Sequence, residues 1–445
     1  MTTIEKSTRA RTWIIRGLVA GGLVMATAAD VGAQAPTNYD EAKVKPYTLP
    51  DPLRTVEGRE VTSAELWAKH RRPELLRLFE TQVYGKTPTP EKPVPVAFEV
   101  VADDANALGG AAVRREVVVR FGEGPEAPRM DLLIFLPKSA SGEKPAAAFL
   151  GLNFDGNHAV SHDPDVRIPS CWMREGKDKA VADHRATEAG RGTTAGRWSV
   201  EKVVGRGYAL ATACYNDIDP DFDDGFQNGV HPLFYHSGQT RPDPDQWGSI
   251  GAWAWGLSRA LDYLETVPEI DAKRVAVIGH SRLGKTALWA GARDQRFAMV
   301  ISNNSGEGGA ALARRDFGET VANLNKNFPH WFCGNYKQYS GAADKLPVDQ
   351  HELIALIAPR PVLISSAEDD KWADPRGEFL SAKAASPVYR LLGTDGLLIE
   401  EWPAAADDSL SKGTVGYRHR PGKHDVTPSD WEAFLDFADL HLKPR

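Results

Sequence analysis

Three patterns in the chain predict an α/β architecture, with antiparallel strands leading into a mainly parallel sheet that carries helices on both faces. The first is a set of alternating, β-branched segments at residues 95–100, 116–120 and 130–136, which read as paired antiparallel strands. The second is a series of short, continuous apolar runs: Ala146 to Leu152, Tyr208 to Cys214, Val275 to Ile278, Met299 to Ile301 and Pro361 to Ile364. Unbroken runs of that length suit strands buried on both faces, as in a parallel sheet. The third is the helical periodicity between those runs, at residues 200–206, 247–266, 285–293 and 375–392. Strands alternating with helices imply crossover units. A last helix is expected over residues 429–440, after Pro428, with Ser429 as N-cap and Glu432 three residues on.

The flanking segments read differently. Lys6, Arg9, Arg11 and Arg16 precede an apolar run from Gly17 to Ala29, and Val31-Gly32-Ala33 or Ala33-Gln34-Ala35 supplies a small-x-small cleavage site. Residues 1–35 are therefore expected to be a signal peptide, because the run is short for a bilayer span, and the mature protein to be soluble, secreted or periplasmic. Residues 36–95, rich in Pro, Glu and Lys with one helical patch from Ala64 to Tyr84, form an expected N-terminal extension on the main domain at 96–445.

The remaining composition mostly excludes. The formal net charge of −7, with no basic run carrying interleaved aromatics, gives no reason to expect nucleic acid. Cys171, Cys214 and Cys333 allow one bridge at most and have no metal-ligand spacing; three buried thiols are expected. The loop from Asp217 to Asp224 is rich in aspartate, but its glycine comes one place late and no glutamate closes it, so calcium is not expected. Several of the 12 tryptophans fall in loops, where they could stack on sugars rather than fill the core.

Chemistry is concentrated at Gly279-His280-Ser281-Arg282-Leu283-Gly284-Lys285, which follows an apolar strand and precedes a helix. A serine on a sharp strand-to-helix turn is how a nucleophile elbow reads, although here the second glycine stands at +3 instead of +2. With the strand pattern, this is the arrangement of an α/β hydrolase, whose chain order is nucleophile, acid, histidine. His424, in a glycine-containing loop before the last helix, is the candidate base; His419, between two arginines, is weaker because they disfavour its charged form. The acid has to come from a strand end. The loop after Pro361–Ile364 offers Glu368, Asp369, Asp370 and Asp374, and one strand earlier stands Glu307, so the residues name the loop and leave the choice open.

These residues resemble the glucuronoyl esterases of carbohydrate esterase family 15 in their bacterial form, over roughly residues 195–440. The resemblance rests on Arg206-Gly207-Tyr208-Ala209-Leu210, the Gly279–Lys285 run, Asn304-Ser305-Gly306-Glu307-Gly308-Gly309-Ala310-Ala311, Phe328-Pro329-His330-Trp331-Phe332, Ala358-Pro359-Arg360-Pro361 and Trp372-Ala373-Asp374-Pro375. It implies a serine esterase that cleaves the ester between (4-O-methyl-)glucuronic acid of xylan and a lignin alcohol. By position it implies Ser281 as nucleophile, His424 as base, and Arg282 as oxyanion donor through its N–H and guanidinium. It also implies Lys285, Glu319 and Trp372 as sugar-binding groups, Glu319 competing with a pairing to Arg314 or Arg315. The chain departs from the fungal pattern at Asn304, where a triad glutamate would stand, and at His280, where a cysteine would stand, which excludes a disulfide at the elbow. Some bacterial relatives carry the acid two residues before the tryptophan, which here is Asp370, with Glu307 and Asp369 as the alternatives. No cofactor or metal and no membrane partner for the mature form are expected, and a monomer is. The rival expectations are an acetyl xylan or other small-ester esterase, and a carbohydrate-binding relative without catalysis.

Overall fold

The computed structural model describes residues 37–176 and 179–443; the expected signal peptide lies outside them. One sheet of ten strands runs through the molecule. Its strands are β1 (Val96–Asn106), β2 (Ala112–Phe121), β3 (Arg129–Pro137), β4 (Ala146–Asn153), β5 (Ala209–Cys214), β6 (Ile270–His280), β7 (Met299–Asn303), β8 (Val362–Ala367), β9 (Leu410–Lys412) and β10 (Val415–Arg420). Their order across the sheet is β1-β2-β3-β5-β4-β6-β7-β8-β10-β9. The first three pair antiparallel, and β3 meets β5 antiparallel. From β5 through β4, β6, β7 and β8 to β10 every pairing is parallel, and β9 closes the far edge antiparallel. The α/β-hydrolase expectation is met by this arrangement.

The pairing decides where the site lies. Gly279 stands opposite Ser302 and His280 opposite Asn303; Asn303 also pairs with Ser365, and Ala367 with Arg420. The carboxyl ends of β6, β7, β8 and β10 therefore finish side by side, and the loops leaving them share one edge, where open α/β sheets hold their ligands. The strands are long-buried runs: every residue of β4, β5, β7, β8 and β10 is buried.

Two local readings need correction. The last helix runs from Pro428 to Leu442 and is capped by Thr427, not Ser429: the Thr427 side chain accepts from Asp430 N–H, and Asp430 returns the bond. Proline fits the first helical position because its missing N–H would be unpaired there. Strands β9 and β10 were not expected at all. In β10, Val415-Gly416-Tyr417-Arg418-His419-Arg420, both arginines are buried. Asp430 takes Arg418 Nη1 at 2.6 Å and Arg420 Nε at 2.8 Å, and Asp408 takes Arg418 Nε at 2.7 Å. Buried charges persist when paired and hydrogen-bonded, and single-residue polarity hides that.

Residues 37–95 lie against the same core. Within helix α1 (Arg72–Gln82), Leu75 and Phe79 are fully buried. Phe79 packs at 6.4 Å, ring to ring, from Trp289, and Tyr84 at 4.5 Å from the same ring. Trp289 belongs to α2 (Arg282–Arg293), the helix that begins at the elbow. Tyr84 O–H also donates to Gly308 O at 2.8 Å, and Arg71 reaches Glu352 at 2.6 Å with both side chains buried.

Phe79→Ala is accordingly expected to destabilise the protein by about 3–5 kcal/mol in urea unfolding, through lost burial plus a cavity behind Trp289. Leu66→Ala, at an exposed position, should change stability by no more than about 0.5 kcal/mol. Equal effects of the two would show that α1 does not support the elbow helix.

Candidate active site

Ser281 sits between β6 and α2 with φ 57° and ψ −130°, a backbone conformation that L residues rarely adopt. The turn is held by Ser281 N–H on Asn303 O at 2.9 Å and by Gly284 N–H on Ser281 O at 2.8 Å. Glycine at −2 is required: a Cβ on Gly279 would lie 1.9 Å from the Leu283 carbonyl oxygen. At +3 the demand is milder, since a Cβ on Gly284 would meet the Ser305 side chain at 3.0 Å. This explains the displaced second glycine. The elbow needs its closest approach before the serine, and Leu283 at +2 turns its side chain into the core. Arg282 opens α2, so its backbone N–H has no acceptor within the helix.

A cleft of about 300 Å³ opens over this turn, lined among others by Ser281, Arg282, Lys285, Glu319, Asp370, Trp372 and His424. All seven residues expected at the site meet there. His424 Nδ1 lies 2.5 Å from Asp370 Oδ2, and a carboxylate partner there fixes the ring proton at Nδ1 and leaves Nε2 as the unprotonated nitrogen. Asp370 follows β8 and is buried, while the His424 side chain is 40% exposed. Asn304, the residue standing where a glutamate was looked for, donates its amide to the same Asp370 oxygen at 2.9 Å. A second carboxylate at that position would oppose the first; the amide supports it. Glu307 accepts from Tyr336 O–H at 2.8 Å and is absent from the cleft wall. His419 is buried in β10, its Nδ1 on Pro403 O.

The sugar-side candidates are linked to one another. Lys285 is buried, and its ammonium donates to Ser305 O and Glu307 O at 2.6 Å and to Glu319 Oε2 at 2.7 Å. Those three bonds use all three of its protons. Glu319 also accepts from Trp372 Nε1 at 3.1 Å, which leaves lone pairs on both oxygens. The expected competitors are engaged elsewhere: Arg314 with Asp349, and Arg315 with Asp374 and Glu41.

Sequence reasoning missed two groups. The first is His280, whose ring lies 4.4 Å from that of His424, centroid to centroid, with Asn303 Nδ2 at 2.9 Å from its Nδ1. Burial, and then the nearby His424, push the His280 pKa well below its ordinary value, so it packs there as a neutral ring. The second is Asp221, from the aspartate-rich loop, whose carboxylate pairs with the Arg282 guanidinium. Arg282 also lies over Trp331, 4.6 Å from the ring centroid. A cation over an indole was not visible in the Phe328–Phe332 motif until the loop was placed.

Beneath the Asn304–Gly306 turn lies Glu378, fully buried on helix α3 (Pro375–Leu391). One oxygen accepts from Ser305 N–H, Gly306 N–H and Ser305 O–H at 2.8, 3.0 and 3.1 Å, and the other from Ser366 O–H at 2.5 Å. Burial outweighs these bonds and raises its pKa to about 8.

Against known proteins, the chain matches the family model described as "Glucuronyl esterase, fungi" over residues 232–393. A carbohydrate esterase from an unidentified prokaryote is 54% identical over 408 residues, 91% of this chain and 92% of that protein. The solved structure of a promiscuous family 15 carbohydrate esterase from a marine bacterial metagenome aligns with a TM-score of 0.85 at 53% identity, covering 91% of this chain and all of that one. A glucuronoyl esterase from Solibacter usitatus aligns at 0.84 and 48% identity, covering 90% and 100%.

Because the pKa of Glu378 is raised on folding, its contribution is full below about pH 4.5 and is lost as pH rises through about 8. Gln is isosteric, can accept the three bonds at one end and donate to Ser366 at the other. Glu378→Gln should therefore leave Tm near the wild-type value at pH 4.5 and raise it relative to wild type at pH 8.5. Parallel Tm curves for the two proteins would contradict a protonated Glu378.

Proposed function

This chain belongs to carbohydrate esterase family 15, the glucuronoyl esterases, and on that premise we propose that it hydrolyses the ester joining (4-O-methyl-)glucuronic acid of xylan to a lignin alcohol. The observation that carries the substrate is the buried Lys285–Glu319 pair, tied to Trp372, in the cleft that contains Ser281. An acetyl esterase has no use for a fixed anion and an indole beside its nucleophile. Sugar hydroxyls can donate to the free lone pairs of Glu319 while Trp372 offers a ring face. Lys285 holds Glu319 in place through the 2.7 Å contact, and it bonds a hydroxyl itself only by releasing one of its present acceptors.

The mechanism follows from the residue types. Ser281 Oγ attacks the C6 carbonyl carbon while His424 Nε2 takes its proton. Charge develops on the carbonyl oxygen beside the Arg282 N–H and guanidinium, and losing one such donor typically costs about 3–4 kcal/mol of transition-state stabilisation. The imidazolium, held by Asp370, then gives its proton to the departing alkoxide, leaving glucuronoyl-Ser281. Water, deprotonated by His424, attacks that ester; collapse of the second intermediate releases glucuronate and returns the proton to Ser281. The pairing of Asp370 with His424 supports catalysis over a binding-only role, for which Asn304 had been the motive. Residues 1–35 as a signal peptide would bring the enzyme to a polymeric substrate outside the cytoplasm, and no described helix is long and apolar enough to cross a membrane.

With benzyl glucuronate as substrate, Ser281→Ala is expected to abolish alcohol release. Asp370→Asn should lower kcat by about 10³- to 10⁴-fold, the usual consequence of removing the charge behind the histidine, and Glu307→Gln by far less. Methyl glucuronate should be cleaved in preference to an acetyl ester. Activity retained in Ser281→Ala removes the mechanism, and a preference for the acetyl ester removes the substrate.

A further inference from the structure

We propose that Asp221 is a positioning residue for the esterase reaction, holding the Arg282 guanidinium ready at the site where the oxyanion forms. The proposal rests on the reading of Arg282 as an oxyanion donor and extends it to a residue outside the cleft wall. Asp221 is fully buried, in a loop whose run of aspartates would otherwise suggest turn chemistry alone. Both of its oxygens are fixed. Oδ1 accepts from His330 Nε2 at 2.9 Å and Trp331 Nε1 at 2.7 Å; Oδ2 accepts from Tyr215 O–H at 2.9 Å and from Arg282 Nη1. Arg174 adds a guanidinium 3.4 Å from Oδ2 and donates to the Asp221 carbonyl at 2.7 Å.

The arrangement does more than neutralise a buried acid. Trp331 serves twice, as a donor to Asp221 and as the surface on which Arg282 rests, and the Phe328 ring stacks on it with centroids 3.8 Å apart. Phe154 approaches the guanidinium on another side, at 5.7 Å. An unrestrained arginine would have to lose much rotamer freedom to serve the transition state; here that freedom is already lost in the free enzyme. A carboxylate next to an oxyanion donor would ordinarily weaken it. In this case hydroxyl, imidazole and indole donors share the negative charge, so Arg282 retains positive potential toward the cleft it lines, and its buried Nε has no hydrogen-bond partner among the described residues. Burial alone would raise the Asp221 pKa, but the His330 bond, the Arg282 charge and the Trp331 bond more than offset it and hold the group ionised.

The test is a double-mutant cycle with benzyl glucuronate, measuring kcat and KM for wild type, Asp221→Asn, Arg282→Ala and the double variant, each checked for folding by thermal melt. Asp221→Asn is expected to lower kcat by about 10- to 100-fold with KM within about threefold, and to cost nothing further in the Arg282→Ala background. An unchanged kcat in Asp221→Asn, with Arg282→Ala impaired, overturns the role of Asp221 alone, as does full additivity in the double variant. Wild-type activity in Arg282→Ala overturns the oxyanion reading beneath it. Should Asp221→Asn fail to fold, the wild-type enzyme answers by NMR. Separate, slowly exchanging Nη signals for Arg282 are expected, and averaged signals overturn the proposal.

Discussion

The contact of 2.5 Å between Asp370 Oδ2 and His424 Nδ1 joins two loops 54 residues apart in the chain, and the rest of the site is arranged around it. It exists because β8 and β10 are parallel neighbours whose carboxyl ends stop together, with Ala367 opposite Arg420. Backbone bonds tighten that junction: Glu368 N–H binds Arg420 O, and Asp369 N–H binds Gly422 O. Two strands away, β6 ends at the elbow, and β7 between them supplies Asn303 to the elbow and Asn304 to the acid. Moving any one of these strands by a residue would reverse the faces of its side chains and separate Ser281, His424 and Asp370.

A second organising feature is the amount of charge taken out of water close to the chemistry. Lys285 with Glu319 and Arg282 with Asp221 are ion pairs buried wholly or in large part. Such pairs contribute little net stability, since desolvation offsets most of their attraction. Their value here lies in direction. The first pair sets a carboxylate with spare lone pairs on the cleft wall, and the second sets a guanidinium beside the elbow.

Legibility in the sequence followed the range of the interactions. The elbow is local: strand, glycine, serine and helix stand within a dozen residues, so Ser281 could be named from pattern, whereas Arg282 was named from the family resemblance. The parallel strands were readable because burial on both faces makes them apolar throughout. Strand β10 was not, because its arginines are neutralised by Asp430 and Asp408 from elsewhere in the chain. The same holds for the acid. Four carboxylates in the loop after β8 look alike as letters, and only the meeting of β8 with β10 decides which one faces His424; the family resemblance, not the spacing, had pointed to Asp370. Thr427 was passed over as a cap for a smaller reason, since Pro428 fits either side of a helix boundary when its bonds are unseen. His280 stood out only as a departure from the fungal pattern and Asp221 only as one of a run of aspartates, because their neighbours His424 and Arg282 come from distant parts of the chain.

The central claim is that Asp370 is the carboxylate behind His424, and the Nδ1 proton of that histidine reports on it directly. In a proton NMR spectrum of the wild-type protein a strongly deshielded Nδ1–H resonance from His424 is expected, absent in His424→Ala and shifted far upfield in Asp370→Asn. A resonance that keeps its position when Asp370 loses its charge would contradict the account.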